Sequence, residues 1–460
     1  MIQALVFVTA LFLARIIFVN RKKYVSLLWV INGMLLLNAS IIVIYEPQIG
    51  IWRWLIFSLL FAALFQSGRF NREFSSFPLK KVLIIAMLGT LVIALLDSRL
   101  SIFNKFYIPF REITEKYLLL FLGYFFIREK GDLANMSKPI FAVLIIISIY
   151  GLINYVSGVN PYFKWAIETF FTEVAGSDAH LQSKLNILDS SQNRFRAVST
   201  FSHTFNYGYA SSLLALFFFA RYNIENLKHG RLLKVAFMFG LAGTVLCFSR
   251  IVLFAALFAF GILILFSTRL TKKIAIAFSV LIFGFAAYAT IPAFQKTMDN
   301  TMDVFVTGGE EAGGSSIDMR LVQLAGAYGY FMQSPIIGNG YGYIEKELGW
   351  GERNKALLDS DMYGFESVVF VLLIEQGIIG LLYHLVLLFG LIRYFRLNLK
   401  SNKVLASLGL SIVSLFFLFA VGTGELSSWP LTMLFLGMII KTIVLSNKNL
   451  TTEESLLCLS

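Results

Sequence analysis

Apolar residues in this chain neither alternate nor keep to one face. They run almost unbroken for the length of a membrane crossing, in a first segment from Ile2 to Val19 and then repeatedly from Val25 to Val444. About 20 such residues in a helix cross roughly 30 Å of hydrocarbon. Candidate spans fall near 2–19, 25–44, 51–66, 82–97, 109–127, 139–156, 207–220, 233–249, 251–267, 274–292, 364–396, 402–421 and 429–446. Strands of a membrane β-barrel would alternate apolar and polar positions, whereas these segments are apolar on nearly every side. The pattern predicts an all-α, polytopic integral membrane protein with about 12–13 transmembrane helices.

The polar positions between the spans set the topology. When successive connections are assigned to opposite sides, Arg21, Lys22, Lys23, Arg69, Arg72, Lys80, Lys81, Arg128, Lys130, Lys138, Arg221, Lys228, Arg231, Lys234, Arg269, Lys272, Lys273, Arg393, Arg396, Lys400 and Lys403 all fall together. That side carries 24 of the 39 Lys and Arg but 6 of the 27 Asp and Glu. Basic residues are retained in the cytoplasm, so the N-terminus is expected outside and the C-terminus inside. The span 364–396 would measure about 50 Å as a straight helix, more than the bilayer, and Glu375-Gln376-Gly377 is where it is expected to break. No fixed-period repeat or low-complexity linker divides the chain. The expected organisation is one membrane domain, 1–460, with two long external loops, 157–206 and 291–364, the second holding short helices.

Composition agrees with this reading and removes other classes. A chain that is 57% hydrophobic and 14% charged, with mean hydropathy +0.74, does not fit a soluble fold. The net charge of +12 reflects cytoplasmic loops, because no basic arm or aromatic-basic module for nucleic acid is present. Cys247 lies within an apolar run and Cys458 near the end, so neither staples an external loop. His180, His203, His229 and His384 have no metal-ligand spacing. The first segment has no basic stretch before it and no cleavage pattern after it, and is expected to be a retained membrane helix.

Chemistry-bearing residues gather in the two long loops and at one edge of the membrane. The first loop ends in Arg194-Phe-Arg196-Ala-Val-Ser-Thr-Phe-Ser-His203 just before a membrane helix. Arginines beside a helix start suit a phosphate or diphosphate, and equally suit lipid headgroups or loop carboxylates. Arg250 sits in Cys247-Phe-Ser-Arg250, a turn with almost no loop, where a charge needs either an anionic substrate or a salt bridge. In the second loop, Ser316 or Asp318 is placed to cap an amphipathic helix carrying Arg320 and ending before Pro335. Gly338, Gly340 and Gly342 then form a turn whose amides either approach a ligand or simply turn the chain. The loop closes on Asp359-Ser-Asp361-Met-Tyr363-Gly-Phe-Glu366, carboxylates and aromatics suited to sugar hydroxyls and general-base work. Asp359 and Asp361 as a cation pair is the weaker reading, since hard cations want more oxygen ligands, and no metal is expected.

The two loops, the arginine before a Phe-rich membrane segment, the Ser-Arg turn, and Ser334-Pro-Ile-Ile-Gly-Asn-Gly-Tyr-Gly342 followed by Glu375-Gln-Gly-Ile-Ile-Gly380 resemble the O-antigen ligase and O-antigen polymerase superfamily over roughly residues 190 to 396. The resemblance implies a glycosyltransferase of the bacterial cytoplasmic membrane, facing the periplasm and using undecaprenyl-diphosphate-linked oligosaccharide without a nucleotide sugar or other cofactor. It matches Arg196, Arg250, Arg320 and the three glycines to family positions, with Arg194, His203 and Tyr363 as neighbouring substrate contacts. Ligase-like members commonly carry His-Asn where this chain has Glu366-Ser367. A polymerase with Glu366 as its base, or Asp361 next, is therefore the expectation, with a chain-length regulator as a conceivable partner. The alternatives are a ligase onto lipid A-core and, from another class, a flippase of the same lipids. A flippase would place its charges and broken helices at the membrane midplane, often in repeated halves.

Overall fold

The computed structural model describes residues 2–20, 22–37, 40–44, 49–170, 196–224, 230–268, 288–290, 295, 299, 317–346, 365–424 and 426–457. Every predicted span except 274–292, which falls almost wholly outside those residues, overlaps at least one helix. The protein is an all-α polytopic membrane protein whose strand content, among the described residues, is one small hairpin.

Among the described residues, six helices are long and apolar enough to cross a membrane: Ile2–Val19, Asp132–Ser157, Arg250–Ser267, Val368–Leu397, Lys403–Thr423 and the Trp429–Asn447 part of the last helix. A seventh is reached if Ile51–Leu64 and Ser67–Ser76 count as one span bent by 97°. Several other predicted crossings are shorter helices. The span drawn at 25–44 is a helix only over Lys23–Leu36, because Ile42–Ile44 leaves the helix and pairs antiparallel with Ile49–Gly50. The β-branched run Ile41-Ile-Val-Ile44 fits a strand as well as a membrane helix, and hydropathy does not separate the two.

At the centre lies Leu118–Phe126, Leu-Leu-Leu-Phe-Leu-Gly-Tyr-Phe-Phe, in which every residue is buried. A helix apolar on all sides needs partners on all sides. The last helix lies against it so closely that a Cβ at Gly123 would stand 2.4 Å from the Leu434 carbonyl oxygen, which only glycine permits. The helix Lys403–Thr423 is likewise mostly buried and packs against Arg250–Ser267.

The segment 364–396 forms the helix Val368–Leu397, broken at Gly377, where φ 60° and ψ −161° are non-helical. In the second loop, Ile317–Gln333 is helical and ends before Pro335 as expected. Ser316 lies outside the described residues, and Asp318 falls inside the helix rather than before it.

Candidate active site

Residues singled out one by one in the sequence come together in two clusters on the face opposite the basic loops. In the first, the stretch after the first long loop returns over the helix ends and is tied to the Arg250 turn. The Ala197 amide donates to Leu246 O at 3.1 Å, and the Thr204 hydroxyl lies 3.0 Å from both Ala197 O and Cys247 O. Ser199 and Phe248 hold positive φ (55° and 45°), a conformation costly for side-chain-bearing residues and kept here by surrounding contacts. For Ser199 those contacts are its hydroxyl on Ile147 O at 2.6 Å and its carbonyl on Asn160 Nδ2 at 2.7 Å. The result puts Arg196, on the incoming stretch, beside the Cys247–Arg250 turn. His203 belongs to the same stretch, and its Nδ1 accepts the Phe205 amide at 3.2 Å.

In the second cluster, Arg320 and Glu366 form an ion pair, Nη2 to Oε2 at 2.9 Å. The same guanidinium donates to Glu366 O at 2.5 Å and to Gly422 O at 2.9 Å, so one arginine holds the loop helix, the start of the broken helix and the end of Lys403–Thr423. Gln323 Oε1 accepts the Glu366 amide at 3.2 Å. Both side chains of the pair remain about one third exposed, at 34% and 39%. A pair that open contributes at most about 1 kcal/mol to stability, so its main effect is to aim the carboxylate. Glu366 does not cap the following helix: Ser367 is the residue before Val368, and the Glu366 carboxylate is turned to Arg320.

The clusters adjoin across one helix end. Gly422, whose carbonyl accepts from Arg320, has Ile251 packed against its Cα so tightly that a Cβ would stand 2.3 Å from it. Arg196, Arg250, Arg320 and Glu366 thus follow one rim. Arg194, Asp361 and Tyr363 lie outside the described residues.

The three glycines have φ of +74°, +94° and +72°, as a tight left-handed turn requires. The amides of Gly338 and Gly340 are not turned to a cradle, however. Gly338 N donates to Ser334 O at 2.9 Å, while Asn339 N and Gly340 N donate to Ile374 O and Glu375 O, both at 2.8 Å. In return Ile378 N and Ile379 N donate to Pro335 O and Ile336 O at 2.9 and 3.1 Å. Non-helical backbone at membrane depth is tolerated where protein satisfies it, and the glycine turn is spliced into the break at Gly377 to do this. The turn therefore shapes the site and fixes the broken helix.

A third group was not foreseen in the sequence. Between Ile102–Glu112 and Leu118–Phe126 the helix widens into a π-turn, Ile113–Tyr117, a device that often marks functional positions. Around it Glu112 pairs with Arg111 at 3.2 Å and with Lys116, Glu115 pairs with Arg53 at 2.6 Å, and Trp429 Nε1 donates to Lys116 O at 2.6 Å. Tyr117 meets His384 Nε2 at 3.0 Å, Tyr383 donates to Gln376, and Glu375 accepts the Ile344 amide at 3.2 Å. The signal was present: Arg111, Glu112, Glu115 and Lys116 crowd into one turn and a half of a predicted span, where intramembrane charges are rare.

The rim makes a specific prediction. Arg196→Lys and Arg250→Lys keep the charge but lose the planar fork with which a guanidinium grips an oxyanion, so both are expected to lose most activity while expressing normally. Activity read beside protein level in membranes checks this. Normal activity from both variants would mean that only a positive field is needed.

Residues 235–385 match the sequence profile of the O-antigen ligase family. The stretch contains Arg250, Arg320, the glycine turn, Glu366 and the helix break. The search of curated proteins returned no match.

Proposed function

Starting from a chain whose residues 235–385 are of O-antigen ligase type, we propose that this protein is a membrane glycosyltransferase that polymerises undecaprenyl-diphosphate-linked oligosaccharide repeats on the periplasmic face of the cytoplasmic membrane. The observation that carries the reading is the rim itself: a carboxylate aimed by Arg320, adjoining the Arg196 and Arg250 corner through Gly422 and Ile251.

In this mechanism an acceptor sugar hydroxyl of one lipid-linked repeat attacks the anomeric carbon of the growing chain. The new glycosidic bond forms as the bond to the diphosphate oxygen breaks, and the diphosphate leaves with the electron pair. Glu366 takes the hydroxyl proton, and Arg196 and Arg250 neutralise the charge gathering on the leaving oxygens. A good leaving group needs little covalent help, so positioning and electrostatic stabilisation supply most of the acceleration. The chain's Glu366-Ser367, where ligase-like relatives have His-Asn, favours polymerase over transfer to lipid A-core.

The deciding experiment is the lipopolysaccharide profile of a deletion strain. Loss of a polymerase leaves core bearing one repeat, whereas loss of a ligase leaves bare core with polymer stranded on the carrier lipid. Extension of lipid-linked repeats by the purified protein in detergent would eliminate a flippase, since detergent leaves no compartments. Activity is expected to survive EDTA, because the arginines take the charge-stabilising part that a divalent ion would otherwise play. Loss in EDTA with rescue by magnesium or manganese would overturn this and turn attention to Asp359 and Asp361.

A further inference from the structure

A second charged cluster lies on the opposite face and takes no part in the proposed reaction. Ser67–Ser76 turns through 97° from Ile51–Leu64 and lies across the end of the bundle, with Phe70 and Phe74 edge-on to Phe121 at 5.0 and 5.1 Å. The apolar side of this amphipathic helix is thus turned onto the bundle. The bend brings Arg69 towards Lys23, at the start of its helix, and Arg128, just beyond Leu118–Phe126.

The local carboxylates do not balance these cations. Glu73 is shared between Arg69, at 3.6 Å, and the buried Lys441, at 2.6 Å. The Asp132 carboxylate accepts the amides of Arg128 and Glu129 at 2.8 and 3.0 Å and so is taken up by the turn before its helix. Arg128 Nη2 donates to the neutral Gln66 at 2.8 Å, Arg69 Nη2 to Phe125 O at 3.3 Å, and Lys23 Nζ to Phe18 O at 3.5 Å. Lys23 lies within the repulsive fields of both Arg128 and Arg69. Directly beside the cluster are exposed apolar side chains: Phe65 is 80% exposed, Val19 70% and Leu64 44%, and Phe65 packs edge-on to Phe18 at 5.6 Å.

We propose that Lys23, Arg69 and Arg128 bind the headgroup phosphate of an anionic phospholipid whose acyl chains lie along Phe65, Leu64 and Val19. Three converging cations supply charge complementarity, and the apolar surface below them selects a lipid over a free anion. The same lipid clamps the bent helix onto the bundle end.

The test uses the full chain in detergent, titrated with phosphatidylglycerol or phosphatidylcholine and followed by native mass spectrometry. Phosphatidylglycerol should be retained by the wild type and phosphatidylcholine should not. Lys23→Gln and Arg128→Gln should each weaken retention roughly five-fold, as expected for one cation at a membrane surface, while Lys81→Gln, an exposed basic residue outside the cluster, should leave it unchanged. Undiminished binding in the double variant, or an equal loss in Lys81→Gln, would overturn the site. Displacement of the lipid by millimolar inorganic phosphate would make it a free-phosphate site and overturn the lipid assignment. Should the variants misfold, the wild type still decides: phosphatidylglycerol must raise its thermal unfolding temperature more than phosphatidylcholine does.

Discussion

Glu366→Gln is expected to lower the rate of glycan transfer on the order of 100-fold or more while leaving expression and folding intact. The structure makes this substitution informative. Arg320 contacts Glu366 at its carboxylate and at its backbone carbonyl, and a glutamine keeps the carbonyl contact and can still accept from Nη2. Only the capacity to take a proton and the negative charge are lost. A merely structural Glu366 would lose at most about 1 kcal/mol, as partly exposed ion pairs do, and the polymer would remain normal. Rates on purified protein with lipid-linked repeats, alongside thermal unfolding, separate the outcomes. Wild-type-length polymer from a well-expressed Gln variant would remove Glu366 from the chemistry and make Asp361 the next residue to test.

Gly338→Ala is expected to abolish function by a different route, through the fold. A Cβ at this position would stand 2.3 Å from Gln376 N and 2.5 Å from Glu375 O, both backbone atoms that cannot swing aside. The left-handed φ adds about 1–2 kcal/mol for any L side chain, and overpacking against fixed backbone about 1–3 more. Separation of the turn from the helix break then strands the carbonyls of Ile374 and Glu375. A lowered unfolding temperature in detergent and loss of polymer are the expected results. The control is Gly329→Ala in the loop helix, where an added Cβ meets nothing within 4 Å and helix propensity improves by about 0.5–1 kcal/mol. Equal behaviour of the two variants would show that the splice does not hold the break.

What could be read from the sequence was whatever rests on length, local composition and charge asymmetry. The break at Gly377 followed from a span too long for the bilayer with a glycine inside it, and the helix before Pro335 followed from an amphipathic stretch set between capping residues and a proline. What could not be read was pairing across distance. Arg320 and Glu366 were each singled out, but nothing local to either says that a guanidinium meets a carboxylate 46 positions away. The glycine turn read as a place for a ligand because its sequence demands positive φ, and a demand for φ does not say what the amides bond. The π-turn group was passed over because Arg111, Glu112, Glu115 and Lys116 are diluted by the apolar residues that follow, although charges this dense at a span's start carry meaning individually.

The burial of Leu118–Phe126 against Trp429–Leu457 bears on how the protein is made. Leu118–Phe126 is inserted well before Trp429–Leu457, the helix packed most closely against it, leaves the ribosome. Until then Leu118–Phe126 must wait among lipid tails, which its wholly apolar surface allows. Glu73, by contrast, waits without Lys441, its partner 368 positions later. Assembly of this core therefore waits for Trp429–Leu457, and a nascent chain stopped before residue 429 would lack both a wall of its own core and the lysine that joins Arg69 on Glu73.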